Sequence, residues 1–480
     1  MQSYWEAVEY IDHIGKYGQH PGIENATKLL AALNHPEQGL KIIHVAGTNG
    51  KGSVCAFLAD MLTAQGYRTG LFISPHLVDL RERIQIDREM IGMENFYNYF
   101  LTVKKVVEQL GQQGYSGITY FDYLLMIALC WYKDRAVDYV VVETGLGGRL
   151  DSTNALKNPM LCIITSISLD HTELLGNTIS KIAAEKAGII KQGVPLIYCA
   201  DEPDARSVIA QTAKEMGAPC IGIGRNHCKR LMMEDADNIK NPARLRFSFC
   251  LPLTHPGSPF TDTFRDGIHE ILTVNSPASY QAENAAIAYT AALWIALLSP
   301  RPNKETEQTK TEDMGLRATL KDALANSVWE GRFEQILPNC YLDGAHNADG
   351  IRMLLASLSP IAAGKKVTLL FTAVKEKDTD EMIRELCESG LFCRYLVTTV
   401  EGARAIAPEQ LKETFLRYTD APVISYMTPK EAFLRGLQDV KVDIESPATD
   451  RAVNTMDSIL LCAGSLYLVG IIKEFLLKKN

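Results

Sequence analysis

A chain of 480 residues, 46% hydrophobic and 22% charged, is longer than one ordinary core serves, so two domains are expected and a fibrous or disordered protein is excluded. The formal charge of -8 argues against a nucleic-acid surface but leaves room for a local basic pocket that takes a small anion. Eleven cysteines without a C-x-x-C pair indicate neither a zinc site nor a disulfide framework, and reduced thiols in the cytoplasm fit best.

The N-terminus carries acids and lacks the basic, apolar, small-residue order of a signal peptide. Residues 285–298, the longest apolar run, fall short of the roughly 20 needed to span a bilayer and read as a buried helix, so no membrane partner is expected. Residues 4–14 and 26–33 read as helices joined by a Gly/Pro-punctuated connection over 15–22. An apolar strand over 42–45 then empties into Gly47-Thr48-Asn49-Gly50-Lys51-Gly52-Ser53. Val54, Phe57, Leu58, Met61 and Leu62 follow at helical spacing, and Gly66 closes the helix. Such a loop aims backbone N–H groups and the positive helix end at one spot, and Lys51 adds a full charge, so the spot suits phosphate. The spacing departs from G-x-x-x-x-G-K-[ST]: two residues separate Gly47 from Gly50, and Gly52 stands between Lys51 and Ser53.

A second strand, 69–73, delivers Ser74-Pro75-His76-Leu77 into a loop holding Arg81, Glu82 and Arg83. Residues 95–110 and 121–132 have helical spacing. Strand 139–142 ends in Glu143-Thr144-Gly145-Leu146-Gly147-Gly148-Arg149, and strand 161–164 ends near Asp170-His171. Apolar strands alternating with helices predict a doubly wound, mainly parallel sheet with ligands at the carboxyl ends of its strands. Lys51, Ser53, Ser74, Glu143 and His171 all fall at such ends. Lys186 lies in a small-residue helix beyond the His171 loop.

From 227 to 276 helical spacing gives way to alternation, which predicts a small antiparallel sheet appended to the first domain. Asn284 opens the apolar helix after Tyr280. A polar stretch with Pro300 and Pro302 reads as a linker. Beyond it strands 340–342, 367–371 and 459–462 alternate with helices, predicting a smaller Rossmann-like α/β domain. The expected division is a phosphate-loop domain over 1–299, a linker over 300–325 and a second domain over 326–480. Residues 440–457 are polar and irregular and receive no role.

A carboxylate at the end of a buried strand beside a phosphate loop, Glu143, suits Mg²⁺, with hydroxyls of Ser53 and Ser74 as helpers; a solvated strand-end acid is the alternative. His171 reads equally as a hydrogen-bonded loop histidine, Lys186 as a surface charge, and Asn284 as a helix-terminal packing residue. Arg332 and Asp343-Gly344-Ala345-His346-Asn347 flank the first strand of the second domain and can face a nucleotide across a cleft.

GTNGKGS at 47–53, SPHL at 74–77 with ERI at 82–84, ETGLGGRLDSTN at 143–154, DHTELLG at 170–176, EKAGIIK at 185–191, WEGRFE at 329–334, DGAHN at 343–347 and GSLYLVG at 464–470 occur in this order. Together these blocks resemble the folylpolyglutamate synthase and dihydrofolate synthase family within the Mur ligase superfamily, over almost the whole chain. The resemblance implies an ATP-dependent ligase: ATP phosphorylates a carboxylate of tetrahydrofolate or dihydropteroate, and the amine of L-glutamate attacks the acyl phosphate. It further implies that Asn49, Gly50, Lys51, Gly52 and Ser53 hold the ATP phosphates. Asn284, Arg332, Asp343 and His346 become nucleotide contacts, and Ser53, Ser74, Glu143 and His171 hold two Mg²⁺ ions. Lys51, His171 and Lys186 are then the catalytic residues, Lys186 in carbamylated form. Gly22, Ile23, Arg83, Tyr120, Phe121, Leu150, Asp151 and Ser152 match folate-contacting positions.

Glu330 stands where the family commonly has proline, and Thr372 and Glu376 where glycine and aspartate are common. Two other readings compete: a Mur-type ligase for a cell-wall precursor, and a nucleotide-dependent regulator. About forty residues before the phosphate loop leave no room for a UDP-sugar domain, and the motif residues needed for catalysis are present. No segment advertises an interface, so a monomer is expected.

Overall fold

A computed structural model describes residues 2–14, 23–234, 243–251, 267–298, 310–375, 377–402, 404–441 and 458–479. Eight strands form the first sheet: β1 (Lys41–Ala46), β2 (Thr69–Phe72), β3 (Ile84–Ile86), β4 (Glu89–Met90), β5 (Tyr139–Glu143), β6 (Leu161–Ile164), β7 (Leu196–Cys199) and β8 (Cys220–Ile223). Their spatial order is β4-β3-β2-β5-β1-β6-β7-β8. All neighbours from β2 to β8 pair in parallel, while β3 and β4 add an antiparallel edge hairpin.

Alternate residues of these strands enter different cores, as a sheet covered on both faces requires. Ile43, Val45, Val141 and Ile163 pack under the helices Lys51–Ala64 and Gln281–Leu298. Ile42, Phe72, Val140 and Val142 face the helices Gln2–His13, Glu24–Ala32, Met93–Gln112 and Tyr120–Asp134. The predicted small sheet is antiparallel, β9 (Cys228–Glu234), β10 (Arg244–Leu251) and β11 (Ile268–Val274), in the order β11-β10-β9.

The expected linker needs correction over part of its length. Residues 300–309 lie outside the described ones, and Lys310–Asn326 is a helix, not a connector. Leu316, Leu320 and Leu324 recur every fourth residue and bury against the first core, while Arg317 and Lys321 pair with Glu270 of β11 at 2.7 and 3.0 Å. The chain leaves this first body at Ser327.

The second sheet contains β12 (Glu334–Leu337), β13 (Cys340–Leu342), β14 (Lys366–Phe371), β15 (Phe392–Val397), β16 (Val423–Ser425) and β17 (Ser458–Ala463). Its order is β12-β13-β17-β14-β15-β16, parallel except for the edge strand β12. The helices Ala348–Ala362, Thr379–Glu388 and Pro408–Phe415 cover one face, and Pro429–Asp439 and Leu466–Leu477 cover the other. The chains leaving β14 and β17 therefore depart toward opposite faces, which opens a crevice at their carboxyl ends.

The two bodies touch through specific notches. The indole of Trp329 lies against the phosphate-loop helix so closely that a Cβ on Gly52 would sit 2.7 Å from it. Arg88, at the tip of the β3–β4 hairpin, pairs with Asp60 at 3.1 Å, donates to the Val328 carbonyl at 2.9 Å and stacks 5.5 Å from the Trp329 ring. Leu77 inserts beside Val469, and its carbonyl oxygen lies where a Cβ on Gly470 would approach to 2.2 Å.

Candidate active site

The loop after β1 is wedged against the exit of β6. A Cβ on Gly47 would fall 1.8 Å from Thr165 Oγ1, the Thr165 hydroxyl donates to the Asn49 carbonyl at 2.7 Å, and Thr48 N–H donates to the Ser166 carbonyl at 2.8 Å. Gly50 caps the helix Lys51–Ala64 at φ +86°, the left-handed region glycine tolerates, and a Cβ there would meet Asn284 Oδ1 at 2.3 Å. Asn284 Nδ2 donates to Gln281 Oε1 at 3.0 Å, and Gln281 Nε2 donates to Ser53 Oγ at 3.2 Å. The first turn of the helix Gln281–Leu298 is thus tied directly to the phosphate loop, with Asn284 against Gly50.

Lys51 Nζ donates to the carbonyls of Gly47 and Thr48 at 3.1 and 3.2 Å and stands 3.9 Å from Glu143 Oε1. Glu143, at the end of β5, is buried and receives Ser74 N–H at 3.1 Å on its other oxygen. Burial pushes its carboxyl above the usual range, with Lys51, the Ser74 N–H, Arg332 and Arg83 pulling it back. Four positions predicted from separate stretches, Lys51, Ser53, Ser74 and Glu143, therefore share one end of the sheet.

Lys186 is the strongest anomaly. Its ammonium is buried and donates to the Gly47 carbonyl at 2.7 Å, and burial followed by repulsion from Lys51 brings its pKa down to about 7. The surface-charge alternative is thereby corrected: the Ile179–Ala187 helix turns this lysine under the phosphate loop.

His171 adopts a left-handed conformation, φ +49°, just before the turn Thr172–Leu175. Burial first, then Lys377, Lys51 and Lys186, lower its pKa to about 4 against the opposing pull of Asp170, so the imidazole is neutral at physiological pH. Beside it Asp170 gathers the second body. Lys377 Nζ meets Asp170 Oδ1 at 2.5 Å, Asn347 Nδ2 donates to Oδ2 at 3.2 Å, and His346 Nε2 stands 3.8 Å away. Burial opposes a charge on Asp170, but Lys377, His346 and His171 outweigh it and hold the carboxyl well below the usual range.

Asn49 also reaches across, donating to Asp349 at 3.0 Å and accepting from Asn347 Nδ2 at 3.1 Å. Asp343, after β13, accepts from the Tyr280 hydroxyl at 2.7 Å, and Arg332 lies beside Gly344. Glu330, the residue in place of proline, pairs with Lys473 at 2.6 Å.

The folate-matching positions among the described residues come from the Leu80–Arg83 turn, the starts of two helices and the loop after β5. Gly22 lies outside the described residues; Ile23 precedes the helix Glu24–Ala32. Arg83 Nε donates to His76 Nδ1 at 2.8 Å, and its guanidinium stacks 5.4 Å from the Tyr120 ring. Phe121 packs on Phe72 with ring centroids 5.4 Å apart and lies tight against Gly145. Leu150 is 49% exposed at the rim. Asp151 and Ser152 are engaged within the protein: Asp151 accepts from the Leu146 and Thr153 amides at 2.8 and 3.0 Å, and Ser152 donates to Asp122 at 2.5 Å. Their side chains order the loop after β5.

Sequence reasoning passed over Asp170, Gln281, Asn347, Asp349 and Lys377 as site residues. Asp170 and Asn347 sat inside quoted motifs, and Lys377 lies in the segment set aside for its departures. Among the described residues no group of three or more His, Cys, Asp or Glu is close enough to hold a metal alone. Hydroxyl and carboxylate oxygens from Ser53, Ser74 and Glu143, with a neutral His171, instead make a sparse hard-donor set that suits Mg²⁺ carrying water and phosphate ligands.

The model of the Mur ligase middle domain matches residues 45–292, and that of the Mur ligase glutamate ligase domain matches residues 331–445. The chain is 35% identical over 387 residues to a dihydrofolate synthase/folylpolyglutamate synthase of Bacillus subtilis, covering 80% of this chain and 83% of that protein. It belongs to the folylpolyglutamate and dihydrofolate synthase family of Mur ligases. A folylpolyglutamate synthase of Lacticaseibacillus casei is 32% identical over 99% of both chains. FolC of Escherichia coli, solved in complex with DHPP and ADP, superposes with a TM-score of 0.76 at 25% identity over 99% of this chain and 98% of that one. The relatives thus lie with folate ligases rather than with ligases of cell-wall precursors. No helix among the described residues is long and apolar enough to cross a membrane.

Proposed function

We propose that this protein is an ATP-dependent ligase that joins L-glutamate to a carboxylate of a folate-type acceptor, tetrahydrofolate or dihydropteroate, through an acyl phosphate. The observation that carries this reading is the convergence of Lys51, the glycine-loop amides, Arg332 and Lys377 on a cleft whose floor holds the buried Glu143. A carboxylate is a poor electrophile, and phosphorylating it brings two anions together. Fixed cations and loop dipoles offset that repulsion in a water-poor site, and holding the amine beside the acyl carbon supplies further rate. The acyl carbon then gains a C–N bond as the C–O bond to phosphate breaks, and the amine loses its proton.

Ser74, Glu143, His171 and Ser53 would hold Mg²⁺, which neutralises phosphate charge when bound. A lysine with a pKa near 7 is about half amine at neutral pH, and the amine adds to CO₂: the N–C bond forms, one C–O π pair becomes the carbamate oxygen charge, and a proton leaves. We assign Lys186 that modification. Labelled bicarbonate should give a carbamate resonance that Lys186→Met abolishes.

Product analysis with each acceptor, ATP and L-glutamate tests the activity. Amide product and stoichiometric ADP are expected, and Lys51→Ala and Glu143→Ala should abolish both. ATP consumption without amide product, or turnover of a UDP-linked muramyl peptide instead, would overturn the reading.

A further inference from the structure

Residues 327–331 carry the chain from the first body to the second, and each of them is held. The Ser327 hydroxyl donates to Asp60, the Val328 carbonyl accepts Arg88 Nη2 at 2.9 Å, and the Trp329 indole packs on Gly52. From the next residue the partners change sides: Glu330 pairs with Lys473 at 2.6 Å, and the Gly331 carbonyl accepts Gly344 N–H at 2.9 Å. The crossing is therefore the one peptide link between Trp329 and Glu330, and Arg332, matched to a nucleotide contact, follows three residues after the indole.

Arg88 gathers the first-body side of this crossing. Its Nε pairs with Asp60 at 3.1 Å, and its guanidinium stacks 5.5 Å from the Trp329 ring. Asp60 belongs to the helix Lys51–Ala64 that the phosphate loop opens, so helix, hairpin and crossing segment meet on one guanidinium. Trp329 Nε1 is buried and makes no hydrogen bond among the described residues, so the indole has no polar tether and owes its place to packing. Arg88 itself takes φ +67°, a left-handed conformation that costs a side chain free energy and glycine none. The hairpin turn alone would be better served by glycine; what the arginine adds is its reach to Asp60, Val328 and Trp329.

We propose that Arg88 is a positioning residue for the nucleotide: by holding Val328 and Trp329 against the phosphate-loop helix, it sets the reach of Arg332 across the cleft. This rests on the nucleotide-binding part of the reading above. A nucleotide held between both bodies binds the arrangement in which they meet, and its apparent affinity falls with the fraction of molecules in that arrangement. Saturating ATP draws the bodies back together, so the signature is lost affinity with turnover kept.

ADP titration calorimetry and steady-state kinetics of the full chain with Arg88→Met, Arg88→Gly and Arg88→Lys test it. The first two should raise the ADP Kd and the ATP KM by about ten-fold, with kcat within about two-fold. Arg88→Gly suits the turn and keeps the hairpin folded, and Arg88→Lys, which keeps the charge beside Asp60 without the planar stack, should recover part of the loss. Because the arginine acts through the indole, adding Arg88→Met to Trp329→Ala should raise the ADP Kd by less than about two-fold further. An ADP Kd unchanged in Arg88→Met and Arg88→Gly overturns the proposal. So does a fall in kcat at unchanged ATP KM, or the full ten-fold effect persisting in the Trp329→Ala background. A wild-type protein that binds no ADP overturns it together with the ligase reading, whereas one that binds ADP, loses affinity in Arg88→Met and forms no amide sinks the ligase reading alone.

Discussion

Gly470→Ala should separate activity from stability in a direction opposite to ordinary helix energetics. In the interior of a helix, replacing glycine by alanine normally stabilises by roughly 0.5–1 kcal/mol. Here the new Cβ would stand 2.2 Å from the Leu77 carbonyl oxygen and 3.1 Å from its carbon. A carbon beside a carbonyl oxygen rests at about 3.3 Å or more, so the Leu466–Leu477 helix and the Leu77 loop must part by roughly 1 Å. Leu77 is three residues past Ser74, whose N–H holds Glu143 at 3.1 Å, so the shift is delivered to the floor of the site. A misplacement of about 1 Å costs on the order of 100-fold in rate, about 2.7 kcal/mol of transition-state stabilisation. The assay is acceptor- and glutamate-dependent ADP formation beside calorimetry: kcat/KM should fall about 100-fold while Tm changes by no more than a few degrees. Gly315→Ala, in a helix with nothing within 4 Å of the added carbon, is the control and should keep full activity. A Gly470→Ala enzyme with kcat/KM within two-fold of wild type refutes the coupling between this notch and the site.

Leu320→Ala empties a fully buried position under the Lys310–Asn326 helix and should cost about 2–5 kcal/mol in urea unfolding, whereas a helix serving only as connector would tolerate it. Asp170→Asn removes the acid that Lys377, His346 and His171 share, and kcat/KM should fall by at least about ten-fold with the ATP KM raised; no change in either would deny Asp170 a role in bringing the walls together. Lys186 has a folded pKa of about 7 against about 10.4 unfolded, so between those values the unfolded chain binds the extra proton. Wild type should therefore gain stability relative to Lys186→Met as pH rises from 7 to 10 in CO₂-free buffer. Urea midpoints for the two that stay parallel across this window would contradict the buried-amine assignment.

The two parallel sheets were legible because their strands are short, continuously apolar and bounded by glycine or polar loops, as β1, β5 and β6 illustrate. The helix Lys310–Asn326 was not, since Pro300, Pro302 and a run of polar residues conceal the Leu316-Leu320-Leu324 spacing. The β3–β4 hairpin escaped for another reason: Asp87 and Arg88 take φ +51° and +67° at its turn, where Asn-Gly would have announced it. Asp87 earns the conformation by accepting Thr69 N–H at 2.7 Å, a tertiary contact no local pattern displays. Within the site, residues at strand ends were readable one by one. What the sequence could not display was the pairing across the cleft, because Asn49 and Asp349, or Asp170 and Lys377, meet only after both bodies have folded.

The contacts of Asn49 with Asn347 and Asp349 carry a consequence for intervention. The wall they form is knitted from amides and a carboxylate, so water can compete for each strand of it. A small molecule offering a carboxylate to the Asn49 amide and a donor to Asp349 would act as a staple between the halves. It would gain from contacts the protein already makes and would block the cleft without imitating either the purine or the pterin.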